Sequence, residues 1–410
     1  MYLSKQEWLN AEKQTGEVEN RLLNLAYTIL MNNVYEADGH PWSPYRCISP
    51  ARRLPGYDGA FTGIWNWDSA FHAVGVSRWD TALAREALLG FMQFQKENGL
   101  FPDVMFENGT LVDQFSKPPV LGWACEIVYK RDKTLDFLQK VYPMLVKNEA
   151  YWVENRMRDG LLHFDSEDKG SKDYELHVRY ESGWDNAVRW DKNIIDMWAI
   201  DLNCFMVMNY RSLCYMANEL NLPEEARMWS EKAERMSTLI NEHLWDGKNG
   251  WYSDANSLTH EISDVLSPAS FMPLYIGIAS EEQAKAMAEI AETRFEGKMP
   301  TVSFDNPEYS LDYWRGPTWL NVAYFAAKGL KNYGFAVADE IKASILSMCA
   351  KDKEHIYENY DAKAEKGQYC NHFSWSCVFV IEFILNFEKR AFDDKQSDTP
   401  SMVSSQTMEK

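Results

Sequence analysis

At 410 residues the chain can build a large core, and 46% hydrophobic with 25% charged residues is the make-up of an ordinary globular protein. A formal charge of −19 argues against nucleic acid or an anionic membrane surface as a partner, because phosphate asks for a positive footprint. No apolar run approaches the ~20 residues of a membrane span, the opening MYLSKQEWLN lacks a signal-peptide core, and the seven cysteines form no CxxC, so the expectation is a cytoplasmic protein with reduced, buried thiols.

In chain order, Val18, Leu22, Leu25, Ala26 and Ile29 keep helical spacing. Asp80 is placed to cap a helix whose inner face is Leu83, Ala87, Phe91 and Phe94, closing at Asn98-Gly99. A short hairpin is expected within 161–181, turning at Lys169-Gly170. Pro223 opens a helix striped by Ala226, Trp229, Ala233 and Met236. Ser280 and Gln283 make a capping-box pattern ahead of Ala284, Met287, Ala288 and Ala291. Pro317 opens a helix that should close near Gly329, another starts near Phe335, and the last runs from Asn371 or His372 through Phe383. Successive helices, roughly ten to twelve, with no strands between them argue against a βα architecture. No linker divides the chain, which predicts one helical domain over 1–390 and a polar, disordered tail over 391–410.

The residues that suit chemistry lie between these stripes, where connecting loops gather. Aromatic content is 14%, with 16 tryptophans, and indole offers the flat apolar surface that the C–H face of a sugar fits. In GIWNWDSAFH, 63–72, Trp65 and Trp67 precede Asp68, which suits either an N-cap or a sugar hydroxyl, while His72 reads as core. In 98–119, Asp103, Asp113 and Gln114 lie among loop formers, and the Gln114 amide suits a hydroxyl. In ESGWDNAVRW, 181–190, Asp185 sits between Gly183-Trp184 and Asn186, where burial would keep its carboxyl protonated and able to donate to a leaving oxygen. Glu181 is a cap, an orienting group or a hydroxyl ligand, and Arg189 is either paired with Asp191 or open to an anion. Tyr313, Trp314 and Trp319 form aromatic walls in YSLDYWRGPTW, where Arg315 pairs with Asp312 or faces the site. Glu358, with Asp361 and Glu365 as rivals, supplies a second carboxylate far along the chain. Paired carboxyls are the tools of glycoside hydrolysis, ~6.5–9.5 Å apart for inversion and ~5–5.5 Å for retention. P-loop, GxGxxG, HExxH and GxSxG patterns are absent, so no metal or organic cofactor is expected.

Together WNWDSAFHA (65–73), ESGWDNAVRWD (181–191), YWRGPTW (313–319) and YENYDA (357–362) resemble glycoside hydrolase family 63 over about residues 50–385, in particular its short bacterial branch acting on mannosylglycerate or glucosylglycerate. Trehalases share a related ESGWD but carry a QWD-type second signature that YWRGPTW does not match. The resemblance implies an all-α, single (α/α)6 barrel. It implies an exo-acting, inverting hydrolase that releases glucose or mannose from a small α-glycoside. Asp185 would be the general acid and Glu358 the general base. Trp65, Trp67, Asp68, Gln114, Gly183, Trp184, Tyr313, Trp314 and Trp319 would surround the non-reducing sugar, with Arg189 and Trp190 toward the leaving group. A glycerate carboxylate would need a cation, from Arg189, Arg179 or Arg315; without one, a neutral disaccharide fits better. Two other readings stand beside this: a sugar epimerase or isomerase on the same barrel, which would want paired histidines, and a non-catalytic carbohydrate-binding protein. A monomer and a homo-oligomer are both compatible with the sequence.

Overall fold

Among the described residues, six helices buried along most of their length form a ring, and six amphipathic helices cover it. The computed structural model describes Trp8 and residues 16–388; the tail expected over 391–410 lies outside the described residues. In chain order the helices are α1 (Glu17–Asn32), α2 (Asn66–Val76), α3 (Thr81–Met92), α4 (Leu121–Asp132), α5 (Leu135–Arg156), α6 (Tyr174–Ser182), α7 (Ile200–Glu219), α8 (Pro223–His243), α9 (Met272–Tyr275), α10 (Glu281–Thr293), α11 (Leu320–Asn332), α12 (Val337–Lys351) and α13 (Ser374–Leu385). The inner ring is α2, α4, α7, the short α9 with the 3-10 turn before it, α11 and α13. Each packs on the next, and α13 closes the circle on α2. Helices α1, α3, α5, α8, α10 and α12 lie outside, and α6 is an addition between α5 and α7. This is the (α/α)6 barrel. Among the described residues no helix is long and apolar enough to cross a membrane.

The local chemistry explains the outer helices well. Asp80 accepts the Leu83 N–H at 2.8 Å, Pro223 sits in the first turn of α8, and Ser280 and Gln283 form the reciprocal capping box of α10. Burial follows each stripe: Ala226, Trp229, Ala233 and Met236 in α8, and Ala284, Met287, Ala288 and Ala291 in α10.

Several boundaries differ from the sequence reading. Helix α3 ends at Met92, and Asn98-Gly99 turns the chain toward the strand Val104–Phe106 instead. Helix α11 starts at Leu320 and runs to Asn332, because the Thr318 backbone is bridged to Tyr360 and is kept out of the helix. The hairpin expected over 161–181 is not formed. Leu161–Leu162 pairs with Met157–Arg158, and Tyr174–Ser182 is helical, since pulling Glu181 onto the buried Arg156 fixes that segment by a tertiary contact that its alternating pattern does not reveal.

Short antiparallel ribbons decorate the end of the ring where the inner helices begin. Gly63–Trp65, Val104–Phe106 and Leu111–Val112 form a three-stranded sheet, and Asn359–Asp361 pairs with Lys366–Gln368. Trp65, Trp319 and Phe373 occupy the N-cap positions of α2, α11 and α13.

Candidate active site

Those N-terminal ends enclose a cavity of about 190 Å³, below the ~300–1,000 Å³ of drug-sized sites and on the scale of one sugar ring. Its walls carry Trp65, Trp67, Trp314, Trp319 and Trp375, four carboxyls (Asp68, Asp103, Asp185 and Glu358) and one cation, Lys117. Trp314 and Trp319 stack with centroids 3.8 Å apart and planes 9° from parallel. Behind them Trp184 supports Trp314 at 5.1 Å.

Asp185 is aimed by the turn that ends α6. Gly183 is left-handed there, with φ +74, and a Cβ at this position would meet the Trp67 indole at 2.4 Å. Only glycine satisfies both demands. The next residues tie this turn to the 309–316 loop. The Asn186 carboxamide oxygen accepts the Trp314 N–H at 2.9 Å, and its nitrogen donates to Asp312 at 3.0 Å. Arg315 makes two bonds of 2.7 Å to Asp191 and one of 3.2 Å to the Asn186 carbonyl. Beneath the turn, Glu181 is fully buried, bonded to Arg156 and to the N–H groups of Ser116 and Asp165. Of its three candidate roles, orienting its neighbours is the one found.

Glu358 reaches the same cavity from the opposite end of the chain. It accepts the Tyr313 hydroxyl at 2.9 Å and the Cys370 N–H at 3.4 Å. Tyr313 holds a left-handed backbone, φ +51, sustained by its carbonyl taking the Trp319 indole N–H at 3.0 Å. Such strain in a non-glycine residue is characteristic of functional loops. The rivals lie elsewhere: Asp361 accepts the Lys363 and Ala364 N–H groups in a turn, and Glu365 bridges to Lys351.

Burial sets the electrostatics. It raises Asp185 to about 6, against the pull of Lys117 and with the push of Asp103. It raises Glu358 to about 7, against the hydrogen bonds from Tyr313 and Cys370. Asp68 is pushed up to about 8 by burial and then by Asp103. Asp103 is also raised by burial, opposed by Lys117. The cavity therefore holds carboxyls that can keep protons near neutral pH, as proton transfer to and from a substrate requires.

Of the residues singled out in the sequence, Trp65, Trp67, Asp68, Gly183, Asp185, Tyr313, Trp314, Trp319 and Glu358 line this one cavity. Asp68 lies within the first turn of α2 and Trp65 takes the N-cap place, so the Asp68 carboxyl is not used as the cap. Four others are not in the lining. Trp184 and Trp190 are packed behind the wall, the Trp190 N–H bonded to Ser182 at 3.1 Å. Gln114 sits outside, its backbone carbonyl holding Ser166 and Glu167. Arg189 is buried on a two-carboxylate fork, with bonds of 2.8 and 2.9 Å to Asp201 and of 2.9 and 2.6 Å to Asp254. It therefore pairs with neither Asp191 nor a ligand in the cavity. Arg315 bonds Asp191 in place of the expected Asp312 side chain, and Arg179 bonds Glu175 and the Trp190 carbonyl. Sequence reasoning missed Phe61, Lys117, Tyr180, Phe373 and Trp375, and gave Asp103 no role. Signals existed for two: Lys117 beside the paired prolines of SKPP, and Trp375 closing the HFSW stretch. Among the described residues no histidine lines the cavity; His72 is buried against the Ser374 hydroxyl at 2.6 Å.

Comparison with known proteins bears on the family and the fold. Residues 62–376 match the family profile described as the mannosylglycerate hydrolase MGH1-like glycoside hydrolase domain. A mannosylglycerate hydrolase of Rubrobacter radiotolerans is 24% identical over 78% of this chain and 90% of its own length. A periplasmic trehalase of Salmonella newport is also 24% identical, over 79% of this chain and 64% of the trehalase, so the chain spans somewhat under two thirds of that relative. Among solved structures, the family 63 mannosylglycerate hydrolase of Thermus thermophilus, determined with Tris and D-glycerate, superposes with a TM-score of 0.73 at 23% identity, over 88% of this chain and 99% of that one. The neutral trehalase of Saccharomyces cerevisiae gives 0.65 at 19% identity, over 84% and 77%. At these identities the structural matches carry the fold.

Proposed function

This chain belongs to the mannosylglycerate hydrolase MGH1-like glycoside hydrolase family, and from that premise we propose that it is an exo-acting, inverting α-glycosidase that removes one glucose or mannose from a small, neutral α-glycoside. One observation carries the reading. Asp185 and Glu358, from distant loops, meet in a single tryptophan-walled cavity the size of one sugar, and burial raises both carboxyls.

The non-reducing ring lies against the indoles. Asp185, protonated, gives its proton to the glycosidic oxygen as the bond to the anomeric carbon breaks. Glu358, ionised, takes a proton from the water that attacks the opposite face, so the anomeric configuration inverts. Before substrate binds, Asp185 stands at about 6 and Glu358 at about 7, the reverse of these roles. The substrate corrects the order. A glycosidic oxygen only accepts hydrogen bonds, so it pairs with protonated Asp185. The attacking water donates one, so it pairs with ionised Glu358.

The neutral aglycone follows from charge. Arg179, Arg189 and Arg315 are all committed to protein partners. The single ammonium in the wall, Lys117, lies 2.9 Å from Asp103. Where the leaving group abuts this wall it meets Asp185 and the other carboxyls, and Lys117 is already paired with Asp103. Among the described residues no histidine lines the cavity, so the histidine pair expected of an epimerase is not found there. We place the protein in the cytoplasm because all seven cysteines are free.

Proton NMR of the protein with trehalose, α-linked glucose and mannose disaccharides, glucosylglycerate and mannosylglycerate tests the reading. A neutral disaccharide is cleaved and the β-anomer appears before mutarotation. Early α-anomer of the released non-reducing sugar refutes inversion for every substrate but trehalose, whose leaving glucose is α in any case and which must give equal α and β, and preferential cleavage of a glyceryl glycoside refutes the charge argument. Asp185→Asn lowers turnover by at least ~10²-fold with folding unchanged; wild-type turnover would remove Asp185 from its role.

A further inference from the structure

Asp103 and Lys117 stand in the cavity wall with no task in the reaction above. Their charged heads are 2.9 Å apart, with side chains only 11% and 9% exposed. Lys117 also donates to the Tyr180 carbonyl and lies 5.2 Å over the Phe115 ring. A desolvated ion pair of this kind adds little stability over apolar residues of the same volume. Its position in a ligand-sized cavity points instead to recognition.

The unused bonding capacity is specific. An ammonium carries three N–H donors. The Tyr180 carbonyl takes one, and the contact with Asp103 Oδ1 is an ion pair without hydrogen-bond alignment, so a donor is left over even when that pair is counted. Asp103 turns Oδ1 to the lysine and keeps Oδ2. The wall therefore offers one charged donor beside one charged acceptor, a pairing that two adjacent hydroxyls of a pyranose, one accepting and one donating, can meet together. Both groups act electrostatically on Asp68 and on Asp185, so they border the ring whose glycosidic oxygen Asp185 protonates.

We infer that Asp103 and Lys117 form a hydroxyl clamp: the third Lys117 N–H donates to one hydroxyl of the non-reducing sugar, and Asp103 Oδ2 accepts the proton of the adjacent hydroxyl. The pair reads a vicinal diol as a unit. The inference rests on the reading that this cavity holds that sugar. It makes Asp103 and Lys117 specificity-determining residues, distinct from the two carboxyls that move protons.

The test needs no turnover. Glucose, mannose and their monodeoxy forms are titrated into wild type, Lys117→Met and the double variant Asp103→Asn/Lys117→Gln, following the fluorescence of the cavity tryptophans. Circular dichroism checks folding. In wild type, loss of either clamped hydroxyl weakens binding by roughly 10- to 100-fold. Lys117→Met binds the parent hexose that much more weakly and no longer distinguishes those two deoxy forms, while still distinguishing the others. The double variant keeps an amide donor and acceptor, so it retains the discrimination at reduced strength. If Lys117→Met weakens every sugar by one factor with discrimination intact, or if it only moves the pH profile of turnover, the clamp is overturned and the pair serves Asp185 instead. A wild type that binds neither hexose also overturns it. Intact discrimination with no glycoside cleaved leaves the clamp standing and refutes the hydrolase.

Discussion

Gly183→Ala separates two demands that meet at one residue. The backbone there is left-handed, φ +74, and placing a Cβ in that region costs about 1–2 kcal/mol. The same Cβ would stand 2.4 Å from the Trp67 indole. Trp67 is hemmed in by Phe71, Trp314 and Trp375, with ring centroids at 5.7, 6.4 and 5.1 Å. Forcing it aside is overpacking, about 1–3 kcal/mol, so the total is roughly 2–5 kcal/mol. Gly109 supplies the control: φ is +85 and nothing lies within 4 Å of its Cβ position. Gly109→Ala therefore carries only the backbone cost, about 1–2 kcal/mol. Denaturation of both variants beside wild type yields the steric part as a difference. Because the displaced groups are the sugar-facing indole and the turn that aims Asp185, kcat/KM of Gly183→Ala falls by about 10²-fold, while Gly109→Ala keeps wild-type activity. Equal destabilisation of the two, or a Gly183→Ala enzyme of full activity, refutes the reasoning.

Other consequences are equally open to measurement. The kcat/KM profile is a narrow bell centred between about pH 6 and 7: activity is lost at low pH as Glu358 (about 7) is protonated, and at high pH as Asp185 (about 6) ionises; a broad plateau would contradict those environments. Tyr313→Phe removes the 2.9 Å hydrogen bond that favours ionised Glu358 and raises that carboxyl by up to about one unit for ~1.4 kcal/mol; because Glu358 already titrates above Asp185, the alkaline limb moves to higher pH and the maximum falls while the acidic limb stays, and an unmoved alkaline limb would show that Tyr313 does not tune the base. Arg189→Met strands Asp201 and Asp254 in the interior and destabilises by about 3–5 kcal/mol, read as a lower denaturation midpoint; a neutral effect would mean those carboxyls find other partners.

The outer helices were legible in the sequence because each has a wet face and a dry face. Asp80, Pro223 and Ser280 mark real helix starts, and the apolar stripes behind them are buried. The inner helices hid their ends. SWSCVFVIEFIL in α13 is buried on nearly every side, so no period marks where it begins. The motif residues that meet in the cavity were found as clusters of indole and carboxylate. What failed were pairings between neighbours in sequence. Arg189 looked free or paired with Asp191, yet its partners Asp201 and Asp254 come from other elements, and Asp191 serves Arg315. Lys117 was overlooked because a lone lysine in a loop is ordinarily a solvated charge; only the fold shows it desolvated against Asp103.

Closure of the ring has a bearing on how the protein is made. Helix α13 packs on both α1 and α2, and the last stretch of the barrel brings Glu358, Phe373 and Trp375 to the cavity. Synthesis runs from the N-terminus, so α2 leaves the ribosome with its Phe71 and Gly75 side still lacking the α13 partner. A nascent chain stalled before residue 358 holds only Asp185 of the two carboxyls, and one stalled before about residue 374 still has an open apolar seam. Such chains bind chaperones and expose protease sites that the finished barrel hides. The order of translation thus makes competence for catalysis one of the last properties this chain acquires.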